Sequence, residues 1–164
     1  MPTYALEIKA DLEGLAKLTP LENNVWQFDI SCDSGGGGER KEGITVSALD
    51  ELEIEGSRGH ANYVMKWHTS KQHAHIKIMP LDKKMSPGCY PVQKAGEFVK
   101  IAAFECRGLS LERWIPGTDF SGEGETGTVF SAVDLSDPDG WTDYDEGADE
   151  SVSVMNLEHR IVRI

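Results

Sequence analysis

The sequence predicts an all-β protein, two antiparallel sheets packed in the manner of a β-sandwich and divided into two pseudo-symmetric halves. Three observations lead there. Apolar and polar residues alternate with a period of two in segment after segment, the spacing of half-buried strands. No segment carries an apolar stripe at helical spacing over several turns. Glycine and proline punctuate the intervals between the alternating runs, as closely spaced turns require.

The first strand is read over residues 4–12, where Tyr4, Leu6, Ile8, Ala10 and Leu12 share one face and Ala5, Glu7, Lys9 and Asp11 the other. Trp26, Phe28, Ile30 and Cys32 repeat the pattern with Gln27, Asp29 and Ser31 opposite. Ile44, Val46 and Ala48 form a third set, Tyr63, Met65 and Trp67 a fourth, and Ile76 with Ile78 a short fifth. The run VKIAAFEC ending at Cys106 is apolar on both faces, which predicts a central strand. Further strands are expected over residues 128–135, 151–157 and 160–164.

The halves resemble one another. Glu13-Gly14-Leu15 matches Arg107-Gly108-Leu109, each following a strand, and Val25-Trp26 is matched with Val129-Phe130. Tyr63-Val64-Met65 is matched with Ser153-Val154-Met155. The expected organisation is a single domain over residues 1–164. Within it lie half-repeats 1–80 and 98–164, joined by a linker at 81–97 that holds Pro87 and Pro91.

The chain has 164 residues, 16 basic against 28 acidic, for a net charge of -12. A strongly acidic protein lacks the basic footprint that phosphate backbones and anionic membranes attract, so neither nucleic acid nor membrane is the expected partner. The N-terminal residues lack the apolar core of a signal peptide. Three widely spaced cysteines, Cys32, Cys89 and Cys106, make no secreted disulfide framework, and a reducing cytoplasmic setting is expected. Cys106 reads as a core residue and Cys89 as a linker cysteine open to oxidation. The acidity is uneven: residues 119–150 hold eleven Asp or Glu and no Lys or Arg. Phe120, Phe130, Trp141 and Tyr144 lie in the same stretch, which predicts a folded acidic surface rather than a solvated tail.

Several segments together carry a family resemblance. The opening ALEIKADLEGLAKLTP, the run EIEGSRGHANYVMKW with Gly56-Ser57-Arg58-Gly59, the FECRGL segment and the later WTDYDEGADESV span nearly the whole chain. Together they resemble the eukaryotic CXXC-motif-containing zinc-binding protein family, whose functions are poorly defined. The resemblance implies a two-sheet β fold and two CxxC pairs meeting at one tetrahedral zinc. Two hairpin tips with two thiolates each close such a structural site. Here the first pair reads Cys32-Asp33-Ser34-Gly35 and the second falls on Trp67-His68-Thr69-Ser70. Three of the four ligand positions are therefore Gly35, Trp67 and Ser70, none of which replaces a thiolate. No cofactor is expected on this reading. The alternative ligand set is Cys32 with His68, His73 and His75, a chemically reasonable zinc site if the fold brings them together. The Gly35–Gly38 run predicts a mobile loop over residues 32–43.

Other patterns carry less chemistry. The glycine run lacks the Gly-Lys-Ser/Thr of a phosphate loop. The acidic run from Asp137 to Glu146 fails the calcium-loop pattern, because Trp141 takes the fifth ligand position and the glycine comes early. No Gly-x-Ser-x-Gly occurs and the cysteines have no evident base. The reading is a non-enzymatic protein that binds a protein partner, basic or metal-handling, through a surface of Arg58, Trp141, Asp143, Tyr144 and Asp145. Asp143 and Asp145 are expected to accept backbone hydrogen bonds or to pair with Arg58 or Arg107. Metal binding through Cys32 and the histidines, and a small-ligand or hydrolytic role in a cleft between the sheets, are the alternatives.

Overall fold

The computed structural model describes residues 2–32, 38–81 and 88–164. The first half contributes β1 (Thr3–Glu13), β2 (Leu15–Pro20), β3 (Val25–Cys32), β4 (Arg40–Ser47), β5 (Leu52–Glu53), β6 (His60–Ala61), β7 (Tyr63–Lys66) and β8 (His73–Met79). After β9 (Tyr90–Pro91) come β10 (Val99–Arg107), β11 (Leu109–Trp114), β12 (Phe120–Gly124), β13 (Val129–Val133), β14 (Trp141–Asp145) and β15 (Glu150–Arg163). The expected all-β class holds, with an antiparallel six-stranded sheet ordered β14-β15-β1-β10-β8-β7. The opposing layer is split into two sheets, β11-β3-β4 and β13-β12-β2-β9, and β5-β6 form a separate ribbon. Among the described residues no helix is long and apolar enough to cross a membrane.

The strand order maps onto itself when β1 is exchanged with β10, β15 with β8, and β14 with β7. The same exchange carries the β3-β4 hairpin onto β12-β13. It also swaps β2, which pairs with β12, for β11, which pairs with β3. Each half therefore lends one strand to the other half's small sheet. The structure keeps the match of Gly14 with Gly108 and revises the other two. The β14–β15 register equates Tyr63 with Trp141 rather than with Ser153, whose counterpart is His75. The small sheets equate Phe28 with Phe120 and Cys32 with Gly124, so Val25-Trp26 has no counterpart in Val129-Phe130.

Period-two alternation placed the core faces because side chains on a strand alternate between its two sides. Leu6, Ile8 and Ala10 of β1, Trp26, Phe28 and Ile30 of β3, and Val46, Trp67 and Ile76 all enter one hydrophobic core. At its centre Phe104 of β10 meets Phe28 and Trp26 edge-on, with ring centroids 5.0 and 5.6 Å apart. Trp26 in turn meets Phe120 of β12 at 6.3 Å. These edge-to-face contacts join all three sheets in the geometry aromatic rings prefer.

Sequence reading erred where propensity was weak. Residues 151–157 and 160–164 are one continuous strand, β15, bent where Asn156 adopts a φ of 55° and the register against β1 shifts. Residues 141–145, absent from the expected strands, form the edge strand β14 because β15 offers them a ladder. The described part of the expected linker is bound into the fold. Tyr90 is fully buried, and its hydroxyl lies within hydrogen-bonding distance of the Lys94 and Glu97 carbonyls and of the Ala10 backbone. Of the loop expected to be mobile, residues 40–43 belong to β4, while residues 33–37 lie outside the described residues.

β1 turns into β2 at Gly14 and β10 turns into β11 at Gly108, with φ of 74° and 76°. A Cβ on Gly108 would stand 2.5 Å from the His73 carbonyl oxygen, and one on Gly14 2.8 Å from that of Ser151. Gly108→Ala is therefore expected to combine left-handed strain with a backbone collision and to cost at least about 2 kcal/mol in urea unfolding. Gly96→Ala, at φ 85° but in open space, is expected to cost only about 1 kcal/mol.

Candidate functional site

The fold brings two hairpin tips of the first half together, the end of β3 and start of β4 facing the β7–β8 turn. The β7–β8 turn spans Trp67 to Gln72, closed by Trp67 N–H donating to the Gln72 carbonyl at 2.9 Å. Lys71 takes a left-handed φ of 60° to complete it. Trp67 is fully buried, and its indole Nε1–H donates to the Gly108 carbonyl at 2.8 Å. A large apolar side chain with its one polar group satisfied is a stabilising core element.

Glu39, which the sequence reading passed over, spans the two tips. One carboxylate oxygen accepts the backbone N–H of His68 at 2.8 Å and the other that of Thr69, also at 2.8 Å. Its own carbonyl accepts the Cys32 N–H at 2.9 Å. The hydrogen bonds from Thr69, backbone first, and from the His68 backbone hold its carboxyl below the usual glutamate range. The only sequence signal was an acid just beyond the glycine run, which does not announce a bridge.

The second half repeats this arrangement with different chemistry. Asp145 stands where Trp67 stands and is fully buried. Its Oδ1 accepts the Thr128 hydroxyl at 2.6 Å and the N–H groups of Gly147 and Ala148 at 3.0 and 3.2 Å. Asp149 takes the φ of 52° that corresponds to Lys71. In both halves a carboxylate ties the backbone N–H groups of the outer hairpin turn. In one half the acid comes from the facing hairpin, in the other from the turn itself.

The positions that the family resemblance assigns to zinc do not suit that ion. Trp67 fills its position with indole, Ser70 is exposed and its hydroxyl oxygen accepts the Gln72 N–H at 3.2 Å, and Gly35 lies outside the described residues. Nor do the alternative ligands converge. His68 is exposed, His73 pairs with Glu55 at 3.5 Å, and His75 is buried under the β5–β6 ribbon. Among the described residues no group of three or more His, Cys, Asp or Glu is placed to hold a metal.

The expected binding surface separates into two. Arg58 lies exposed at the tip of the β5–β6 ribbon, beside β7 and β8. Trp141, Asp143, Tyr144 and Asp145 lie on β14, the opposite edge of the six-stranded sheet. Trp141 packs half-buried on Phe130 at 5.6 Å, Tyr144 is exposed and its hydroxyl meets Asp149, and Asp143 accepts the Tyr144 N–H at 2.7 Å. Among the described residues neither Asp143 nor Asp145 pairs with Arg58 or Arg107. The cleft sought between the sheets is a small apolar hollow of about 190 Å³ beside Trp26, Ala48, Ile78 and Ala102. Its polar side chains are Glu22 and Asn24, and Asn24 is engaged by the Asp119 carbonyl. Cys106 is buried, and burial pushes its thiol up to about 12, which removes it as a nucleophile at neutral pH.

Comparison with known proteins agrees with this fold. Residues 5–162 match the family model described as CXXC motif containing zinc binding protein, eukaryotic. A protein of that name from Rattus norvegicus is 35% identical over 99% of both chains. Among solved structures, a hypothetical protein from Plasmodium falciparum superposes at a TM-score of 0.88 with 30% identity, covering 99% of this chain and 100% of its own. The crystal structure of C1orf123 superposes at a TM-score of 0.88 with 32% identity, covering 99% of each chain.

Two outcomes test the tip arrangement. Trp67→Ala is expected to lower unfolding free energy by about 4 kcal/mol, the cost of emptying a buried tryptophan site. Glu39 has a lowered folded pKa, so its contribution is present above pH 4.5 and is lost as pH falls through the folded value. Glu39→Gln is accordingly expected to lower Tm at pH 7, with the difference from wild type shrinking in melts run below pH 4.5.

Proposed function

The chain belongs to the family of eukaryotic CXXC-motif-containing zinc-binding proteins, and from that premise we propose that it is a metal-independent, non-enzymatic member that binds a protein partner in the cytoplasm. One observation carries the metal-independent part. The tip that a zinc would close is closed by the Trp67 indole and the Glu39 carboxylate, each with its hydrogen bonds made. A structural zinc supplies folding free energy. The bidentate Glu39 carboxylate supplies a linkage between the tips without requiring thiolates, and the buried Trp67 ties its own turn to the Gly108 carbonyl.

The partner-binding part is supported by the β14 edge. An edge strand leaves a row of backbone groups unpaired, and here it carries acids rather than the lysines that commonly guard such edges. Tyr144 is 48% exposed on β14, and Val129 is 67% exposed on neighbouring β13. A basic extended segment suits that edge, with main-chain pairing to β14 and charge complementarity to Asp143, Glu146 and Asp149. The non-enzymatic part is supported by the high thiol pKa of Cys106, which keeps that buried thiol protonated at neutral pH.

Metal analysis of untagged protein is expected to find no stoichiometric zinc, while Gly35→Cys/Trp67→Cys/Ser70→Cys together are expected to take up zinc that resists mild chelation. Tight zinc in the wild type would overturn the metal-independent reading. Partners retained by the wild-type chain are expected to be lost on Asp143→Lys/Tyr144→Ala, with Tm unchanged. Full retention by a folded variant would remove the β14 edge as the binding surface.

A further inference from the structure

The hollow beside β3 and β8 is lined by two polar side chains whose hydrogen bonding is incomplete. Asn24 leads directly into β3, so its side chain and that of Trp26, two residues on, point to one side of the chain, while Val25 between them is 44% exposed. Asn24 is 5% and Trp26 3% exposed, and both line the same hollow of about 190 Å³. Asn24 Nδ2 donates to the Asp119 carbonyl at 2.8 Å, which fixes the amide and leaves Oδ1 as its acceptor. Three rings hold the Trp26 indole in place, Phe104 at 5.6 Å, Phe120 at 6.3 Å and Trp114 at 6.5 Å.

Among the described residues neither Asn24 Oδ1 nor the Trp26 Nε1–H has a hydrogen-bond partner. The unpaired side-chain atoms sealed from solvent are instead Gln72 Oε1, His75 Nε2 and Asp145 Oδ2. Asn24 Oδ1 and Trp26 Nε1 therefore keep accessible surface. For side chains this deeply set, that surface opens on the hollow they line. The other walls are apolar, from Leu21, Ala48, Ile78, Met79 and Ala102, with the exposed Glu22 carboxylate at the rim. One donor and one acceptor thus face an apolar space that is entered past the exposed Leu21 and Ala48.

We propose that this hollow binds a small neutral alcohol with an apolar body, of the size of a single-ring phenol. Its oxygen accepts from the Trp26 Nε1–H and its O–H donates to Asn24 Oδ1, a pair of bonds that one hydroxyl makes and a ketone, an ether or an amine cation does not. A carboxylate has no proton for Asn24 Oδ1 and meets the Glu22 charge. Water makes the same two bonds but leaves the apolar walls wet, so an alcohol that displaces it gains their burial. An apolar cavity of about 150 Å³ holds benzene. The larger hollow here takes one ring with a methyl and a hydroxyl group.

Titration of the full chain with p-cresol, read by ¹H–¹⁵N NMR, tests this. The Trp26 indole N–H resonance, assigned by its loss in Trp26→Phe, is expected to move downfield and saturate together with residues 21–26, 48, 78–79 and 102. That of Trp67, already bonded to the Gly108 carbonyl, is expected to stay in place. Toluene, which keeps the ring and lacks the hydroxyl, is expected to bind roughly tenfold more weakly, and p-toluate more weakly still. Trp26→Phe is expected to erase the preference for p-cresol over toluene. Ala48→Leu, at an exposed place on the wall, is expected to narrow the hollow and weaken p-cresol by about fivefold or more. It keeps the test valid if Trp26→Phe does not fold. No saturable shift, shifts centred away from the hollow, or unchanged affinity in folded Ala48→Leu would overturn the proposal. Toluene or p-toluate binding as tightly as p-cresol would overturn its neutral-alcohol part. N-acetyl-tyrosinamide binding more tightly than p-cresol would overturn the small molecule in favour of a partner's tyrosine.

Discussion

The antiparallel pairing of β1 with β10 is the constraint from which the rest of the molecule follows. These two strands lie side by side at the centre of the large sheet, and each leaves it through a left-handed glycine. Because Gly14 and Gly108 lie against the backbone of β15 and β8, the chain reverses without a gap in the core. Each strand then continues into the small sheet of the other half. The halves are interlocked by covalent connection as well as by packing, and the aromatic cluster of Trp26, Phe28, Phe104 and Phe120 fills the space where the sheets meet.

A fold built twice offers the same local geometry twice, and this chain has used the two copies differently. Trp67 and Asp145 occupy equivalent buried positions at the start of equivalent turns. One supplies apolar bulk and a single indole hydrogen bond, the other a carboxylate that gathers a hydroxyl and two backbone N–H groups. The turns themselves survive the difference because their closure depends on backbone hydrogen bonds and on the left-handed residue, Lys71 or Asp149. The second divergence lies on the outer face, where one half has grown a ribbon over a histidine and an arginine while the other presents serine and glutamate to solvent.

Much of the core was legible because burial on a strand follows a period that the sequence prints directly. Leu6, Ile8, Ala10, Trp26, Phe28 and Ile30 were placed on the inner face by alternation alone, and Cys106 by its apolar surroundings. Alternation failed for β14, whose polar, acidic residues form a strand only because β15 lies alongside to pair with them. It failed again at Asn156, where a single left-handed residue bends one strand and makes it read as two. Glu39 becomes a bridge only when the two tips, far apart in sequence, are brought together.

By itself the sequence determined the all-β class, the inward faces of the major strands and the acidity of the second half. Those follow from composition and short-range pattern, which do not depend on distant contacts. Only the tertiary structure decided that β2 and β11 cross between halves, that Trp67 is equivalent to Asp145, and that Glu39 reaches the His68 and Thr69 amides. It alone set His75 and Arg107 side by side, and put Arg58 on the separate ribbon and Asp143 on the far edge strand of the large sheet. These relations join residues from separate strands, and strand register, which fixes who faces whom, is set by the packing of the whole core.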